Sequence, residues 1–87
     1  MNLEEIVPLL VKVKPSLGGR PIGPGDELVD GLGLDSLDFL QLARQLSAAT
    51  KAEIVLESWA TAERQRQGPR FTVESLLVHV NAARPGG

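Results

Sequence analysis

The sequence predicts an all-α domain, a four-helix bundle with a long first loop and a short or irregular third helical region. Apolar residues make up 43% of the 87 residues but aromatic residues only 3%, so the core must be aliphatic. Apolar positions recur at helical spacing, and the alternation typical of strands is missing. The length predicts one small domain spanning residues 1–87, of which residues 82–87 are expected to form a disordered tail.

The first helix is predicted over residues 3–13. Asn2 and Glu5 have the spacing of a capping box, and Pro15 marks the end of the helix. Pro8 removes one backbone hydrogen bond, so either the helix kinks there or its regular part begins near Val7. The residues that give the helical spacing are Leu3, Ile6, Val7, Leu10 and Val11.

Residues 15–27 are rich in Gly and Pro and predict a long surface connection. This loop either frames a partner surface or is a plain linker. The apolar side chains expected to hold it against the helices are Leu17, Ile22 and Leu28.

The second helix is the clearest element, since Gly31 and Gly33 permit a turn and Asp35 or Ser36 then caps a helix running to about Ala49. Its apolar surface is wider than one core-facing stripe requires, so part of it should face a partner or a cargo. That surface consists of Leu37, Phe39, Leu40, Leu42, Ala43 and Leu46.

A third helix is predicted from about Val55 to Gln67, ended by Gly68 and Pro69. We expect Trp59, Ala60 and Ala62 to point inward and the charged side chains to point outward, namely Glu63, Arg64 and Arg66. Thr72 should cap the last helix, whose inner face would be formed by Val73, Leu76, Leu77 and Val80.

Several classes of function are disfavoured by composition. A net charge of −2 lacks the basic concentration of nucleic-acid binders, and no apolar run has the length of a membrane span. The start of the chain is acidic rather than basic, and there is no Cys, which together suggest a cytoplasmic protein. His79 is the only His, no nucleophile elbow surrounds Ser36, and no metal-ligand spacing occurs, so we expect neither an enzyme nor a metal site.

The motif Gly33-Leu34-Asp35-Ser36-Leu37-Asp38 carries the functional hypothesis. A serine in the first turn of a helix is exposed where backbone N–H groups point outward, a place that suits a phosphodiester. G-L-D-S-L-D opening an amphipathic helix resembles the acyl carrier protein family. The resemblance extends to E-L-V-D-G-L before the motif, to Glu53-Ile54 and to F-T-V-E-S-L-L, and so covers nearly the whole chain.

The resemblance implies an acyl-carrier-like bundle in which Ser36 receives 4′-phosphopantetheine from coenzyme A through a phosphopantetheinyl transferase, with Asp35 orienting the serine. The thiol of that arm would carry thioesters between acyl-loading, ketosynthase or other tailoring enzymes. It implies a discrete, monomeric carrier, and departures from the family pattern suggest that it serves a specialised fatty-acid or secondary-metabolite pathway. D-S-L fits acyl and polyketide carriers better than aminoacyl or peptidyl carriers, which stay as an alternative.

The resemblance also suggests a partner-recognition surface, and the excess apolar surface of the second helix predicts a cargo cleft. Recognition would use Leu37, Asp38, Leu40 and Arg44, and the cleft would be lined by Leu42, Leu46, Ile54 and Trp59. The second helix departs from the acidic pattern of fatty-acid carriers, since no acid lies between Asp38 and Glu53. Weaker electrostatic steering and specialised partners would follow, unless the change is drift on a solvated face.

A second hypothesis belongs to a different class. The chain would be a non-catalytic helical interaction module whose second helix docks into a partner groove, and Ser36 would be only a helix cap.

Overall fold

The computed structural model describes residues 1–83 and contains four α-helices. They are α1 (Leu3–Val13), α2 (Ser36–Thr50), α3 (Leu56–Gln65) and α4 (Val73–Ala83), and a 3-10 turn at Pro15–Leu17 follows α1. No strand occurs within residues 1–83, so the predicted all-α bundle is confirmed. Of the expected disordered tail, Ala82 and Ala83 belong to α4, and residues 84–87 lie outside the described part of the chain.

Helix α1 begins at the predicted capping box. The Asn2 side chain accepts a hydrogen bond from the Glu5 N–H at 3.0 Å, and the Glu5 carboxylate accepts one from the Asn2 N–H at 3.1 Å. The helix continues through Pro8 to Val13, so the later start near Val7 is wrong. Pro8 is exposed, so the Glu4 carbonyl that loses its intrahelical donor lies near solvent rather than in the core.

The core is aliphatic apart from one indole ring and draws on all four helices and on the loop before α2. Its fully buried side chains are Ile6, Leu10, Leu17, Leu28, Leu42, Leu46, Val73, Leu76 and Val80. Burial of Leu42 and Leu46 fixes which side of α2 faces inward. This orientation determines which residues of α2 remain available for binding.

The long first loop is tied to the segment that leads into α4. The Leu28 N–H donates to the Phe71 carbonyl at 2.8 Å, and the Val73 N–H donates to the Asp26 carbonyl at 3.1 Å. Leu17 and Leu28 are buried and Ile22 is half-buried, so the three predicted anchors do pack inward. The loop is therefore a fixed part of the bundle, and it delivers the chain to the start of α2 in a defined position.

Replacing a core leucine of α2 should lower the free energy of unfolding far more than replacing an exposed leucine of the same helix. Leu42→Ala removes a fully buried side chain and should lower the free energy of unfolding by about 2–5 kcal/mol. Leu37→Ala is the matched control on the same helix, because Leu37 is 69% exposed, and it should change that energy by no more than about 0.5 kcal/mol. Urea denaturation followed by circular dichroism measures both. Equal losses would contradict the assigned orientation of α2.

Candidate functional site

The turn before α2 is held by buried leucines and by glycine. Leu32 and Leu34 are buried on either side of Gly33, whose φ of 77° lies in the left-handed region that favours glycine. A Cβ at Gly31 would stand 2.7 Å from the Glu27 carbonyl oxygen, so this position also requires glycine. The two glycines therefore let the chain turn sharply and enter α2 at one place.

A capping box fixes the first turn of α2. The Asp35 side chain accepts a hydrogen bond from the Asp38 N–H at 2.9 Å, and the Asp38 carboxylate accepts one from the Asp35 N–H at 3.1 Å. Asp35 is therefore the N-cap, and Ser36 is the first helical residue. Asp35 places Ser36 through the backbone, because its carboxylate bonds to Asp38 rather than to the serine.

Ser36 is exposed, and within residues 1–83 its hydroxyl has no hydrogen-bond partner. A capping serine would accept a hydrogen bond from the backbone two or three residues on, and Asp35 takes that role here. The interpretation of Ser36 as merely a cap therefore loses its structural basis.

The exposed side of α2 carries three of the four predicted recognition residues. With about 100° of rotation per residue, Leu37, Leu40 and Arg44 lie within about 60° of one another around the helix. Leu37 is 69% and Leu40 54% exposed. Asp38 lies about 100° beyond Leu37, is half-buried and is engaged in the capping box, so it does not share this face.

An open groove of about 760 Å³ runs between α2 and α3, and Ser36 lies on its wall. Phe39, Leu40 and Ala43 of α2 form one side of the groove. Ile54, which lies just before α3, and Trp59 on α3 contribute to the other side. Three charged side chains also line the groove. The full remaining lining is Val29, Glu53, Val55, Leu56, Glu57, Ala60, Arg64 and Phe71.

Only part of the predicted cargo cleft lines this groove. Ile54 and Trp59 do, but Leu42 and Leu46 are fully buried in the core and are absent from its lining. Because Leu42 lies about 120° from Ser36 around α2, it cannot share a wall with the serine. Phe39 and Ala43 take the place assigned to those leucines, and counting three and seven residues on from Ser36 identifies them in the sequence.

All three aromatic side chains of the chain meet at this groove. The Trp59 ring centroid is 6.1 Å from that of Phe39 and 5.6 Å from that of Phe71, the second pair being edge to face. Trp59 is only 3% exposed, so its ring forms a floor rather than a free edge. An aromatic floor of this kind suits an apolar ligand.

The sequence prediction that Glu63 points to solvent is wrong, since Glu63 is 4% exposed. Its Oε1 accepts hydrogen bonds from Arg66 Nη1 at 2.8 Å and from the Arg70 N–H at 2.9 Å, and its Oε2 accepts one from Ser75 Oγ at 2.7 Å. The Arg66 contact is also an ion pair. Helix α3 ends at Gln65, two residues before the predicted Gln67, where the chain turns toward these contacts.

Hydrogen bonding holds the pKa of the Glu63 carboxyl below its ordinary value of 4.5. The Ser75 hydroxyl is the largest cause, and the Arg70 N–H and the Arg66 guanidinium add to it, against the raising effect of burial. The carboxylate is therefore charged at neutral pH and fully engaged.

Within residues 1–83 no cluster of His, Cys, Asp and Glu side chains could hold a metal ion. In the same part of the chain no helix combines the length and the apolar character that crossing a membrane requires. The His79 ring nitrogen Nε2 lies 3.2 Å from the Val55 carbonyl, and His79 is absent from the groove lining, so it offers no base to Ser36.

Fold and site together define a small helical domain that presents an unpartnered serine hydroxyl at the start of a helix and beside an apolar groove. The sequence model of the phosphopantetheine attachment site family matches residues 10–58. This match covers more than half of the chain and includes α2 and its capping turn, so the chain belongs to that family, whose prosthetic group is 4′-phosphopantetheine. Comparisons with curated proteins and with solved structures returned no match.

The Glu63 contacts predict a loss of stability in acid. Because the pKa of Glu63 is lower in the folded protein than in the unfolded chain, its contribution is complete above about pH 4.5 and disappears as the pH falls through the folded value. Glu63→Gln should therefore flatten the fall in unfolding free energy between pH 7 and pH 3, as measured by urea denaturation. Ser75→Ala should flatten it in part, and parallel curves for all three proteins would contradict this assignment.

Proposed function

We propose that this chain is a carrier domain whose Ser36 Oγ is the attachment point of 4′-phosphopantetheine. The observation that carries the proposal is the exposed Ser36 hydroxyl, which is unpartnered within residues 1–83 and lies on the wall of the groove. A serine used for attachment must reach a modifying enzyme and must not be committed to the fold. Ser36 meets both requirements because Asp35 has taken over the cap.

The first turn of α2 fits a phosphodiester on Ser36. The capping box uses the N–H groups of Asp35 and Asp38 and leaves those of Ser36 and Leu37 without a partner in the described residues. These N–H groups lie at the positive end of the helix dipole, where a phosphate is favoured. The site therefore supports the phosphate without requiring a basic side chain.

No side chain of the described residues is hydrogen-bonded to the Ser36 hydroxyl, so the base for attachment is proposed to come from the modifying enzyme. In the proposed reaction the Ser36 oxygen bonds to the pantetheine-side phosphorus of coenzyme A, and the bond to adenosine 3′,5′-bisphosphate breaks. A base of the phosphopantetheinyl transferase takes the serine proton. The attached arm supplies the thiol that a chain without Cys lacks.

We propose that the carried groups are acyl or polyketide-type thioesters rather than aminoacyl groups. The groove beside Ser36 has aliphatic walls on Leu40, Ala43 and Ile54 and an aromatic floor on Trp59. Burial of apolar surface favours a hydrocarbon there by about 25 cal/mol per Å². The groove is also lined by Glu53 and Glu57, so the apolar floor on Trp59, rather than a lack of partners for an amino group, is what favours a hydrocarbon cargo.

Partner enzymes are proposed to dock on Leu37, Leu40 and Arg44. Leu37 and Leu40 are two of the five exposed large apolar side chains in the described residues, and they flank Ser36 on α2. Because this face bears Arg44 and no carboxylate, apolar contact rather than attraction to a basic patch should carry most of the affinity. This would suit dedicated partners in a specialised pathway.

The alternative of a helical interaction module would use the same exposed face of α2. It differs in making no use of the Ser36 hydroxyl, so covalent modification separates the two hypotheses.

Incubation with coenzyme A and a broad-specificity phosphopantetheinyl transferase should add the mass of one phosphopantetheine to the intact protein. Ser36→Ala should add nothing, because the nucleophilic oxygen is gone. Ser58→Ala, at another exposed serine in the first turn of a helix, should be modified like the wild-type protein. Mass spectrometry of the intact proteins measures the gain. No gain in the wild-type protein, or gain in Ser36→Ala, would contradict the carrier assignment.

Leu40→Ser should lower kcat/KM of that transferase by about tenfold or more, since burying one leucine side chain in an interface is worth about 1.5–3 kcal/mol. Val78→Ser is the matched control, because Val78 is 66% exposed on α4 and does not line the groove beside Ser36. A radiolabelled coenzyme A assay gives both rates. A similar loss in both variants would argue against recognition through α2.

A further inference from the structure

A chain of hydrogen bonds leads from a buried carboxylate to the floor of the groove. Trp59 Nε1 donates to Ser75 Oγ at 2.9 Å, and Ser75 Oγ donates to Glu63 Oε2 at 2.7 Å. The direction of this chain is fixed, because the hydroxyl has one proton and the ionised carboxylate can only accept it. The Ser75 oxygen is then left to accept the indole N–H.

The two oxygens of the Glu63 carboxylate have different partners. Oε1 binds Arg66 and the Arg70 N–H, which lie in the segment after α3, whereas Oε2 binds Ser75 on α4. One oxygen therefore anchors the connection between α3 and α4. The other oxygen, Oε2, is linked through the Ser75 hydroxyl to Trp59, whose ring forms the floor of the groove.

The Trp59 ring lines both the groove beside Ser36 and a second surface depression. It pairs with Phe39 of the α2 wall and with Phe71, and the Ser75 side of the ring belongs to the second depression, which also contains Glu63. The indole thus separates the groove beside Ser36 from that depression.

We propose that Glu63 and Ser75 are positioning residues for the carried group, acting through Trp59. By holding the indole N–H away from the groove, the pair presents the apolar face of the ring to the cargo and closes the floor. The cargo class that this selects is an acyl group whose hydrocarbon chain lies along the aromatic surface. The inference rests on the proposed carrier function and adds to it a role for residues that do not touch the arm.

A purely structural role predicts a different pattern of effects. If Glu63 served only to anchor the segment after α3, loss of Arg66 would matter as much to the groove as loss of Ser75. If the pair positions Trp59, loss of Ser75 alone should change the groove, because it cuts the only connection between the carboxylate and the indole in this network.

The test compares octanoyl and acetyl thioesters on the same set of proteins. Wild type, Ser75→Ala, Ser75→Thr, Glu63→Gln and Arg66→Gln are each loaded at Ser36 from octanoyl- or acetyl-coenzyme A. Cleavage by hydroxylamine is then followed by mass spectrometry. Acetyl is too short to lie along the groove, so the ratio of acetyl to octanoyl cleavage rates measures how well the chain is held. Trp59, the one tryptophan of the chain, reports the same event by fluorescence.

In the wild-type protein the octanoyl thioester should be cleaved more slowly than the acetyl thioester. Ser75→Ala should reduce this protection by about fivefold, which corresponds to the loss of one net hydrogen bond of about 1 kcal/mol. Glu63→Gln should reduce it less, because the amide oxygen can still accept the Ser75 hydroxyl proton. Ser75→Thr keeps the hydroxyl and should retain the protection, as should Arg66→Gln. The change in Trp59 emission between acetyl and octanoyl forms should follow the same order.

Protection in Ser75→Ala equal to that in wild type would overturn the positioning role and leave the carrier function intact. An equal loss in Ser75→Ala and Arg66→Gln, matched by equal losses in urea midpoint, would also overturn it in favour of a structural role. Absence of octanoyl protection in the wild-type protein would overturn both this inference and the cargo groove. Absence of any loading would instead count against the carrier function itself.

Discussion

Burial of Leu42 and Leu46 is the constraint on which the rest of the site depends, because it sets the rotation of α2 about its own axis. Once those two side chains point into the core, the helical repeat turns Ser36, Phe39 and Ala43 toward α3 and turns Leu37 and Arg44 toward solvent. The core thereby divides one helix into a buried side, a groove side and an exposed side. Apart from Leu40, which borders two of these sides, each proposed role of α2 occupies one of them.

The second feature of the site comes from outside α2 and involves polar contacts within an apolar core. Trp59 is the largest side chain of the groove and carries the one polar atom on its ring, which must find a partner when buried. Ser75 supplies the partner, and Glu63 in turn orients Ser75. A satisfied polar network of this kind specifies one geometry, whereas apolar packing alone permits several.

Local sequence patterns predicted the helices and the capping of α1 and α2, since spacing and capping depend on residues only a few positions apart. The third helix was predicted less well. Glu63 carries a charge, which usually points to water, and its partners Arg70 and Ser75 lie 7 and 12 residues further along the chain. Such contacts form only after α3 and α4 have packed, so no local pattern reveals them.

The predicted cargo cleft on α2 also shows the difference between what local sequence patterns predict and what depends on tertiary packing. A wide apolar surface indicates that part of the helix must face something other than the core, but it does not say which part. The sequence alone therefore places Leu42 and Leu46 beside the cargo. To decide whether Leu42 and Leu46 or Phe39 and Ala43 line the groove, one must know the position of Ser36 relative to the packed core. That position follows from the glycine turn and from the buried Leu32 and Leu34, which are tertiary features.

Leu40 stands at the boundary between two sectors of α2, since it is 54% exposed on the outer face and also lines the groove. Any enzyme that covers this side chain therefore touches a wall of the compartment beside Ser36. Under the proposed carrier function, an enzyme docked on the outer face and the group held in the groove would contact the same leucine. A carrier built this way would yield its load more readily at a docked enzyme than in free solution.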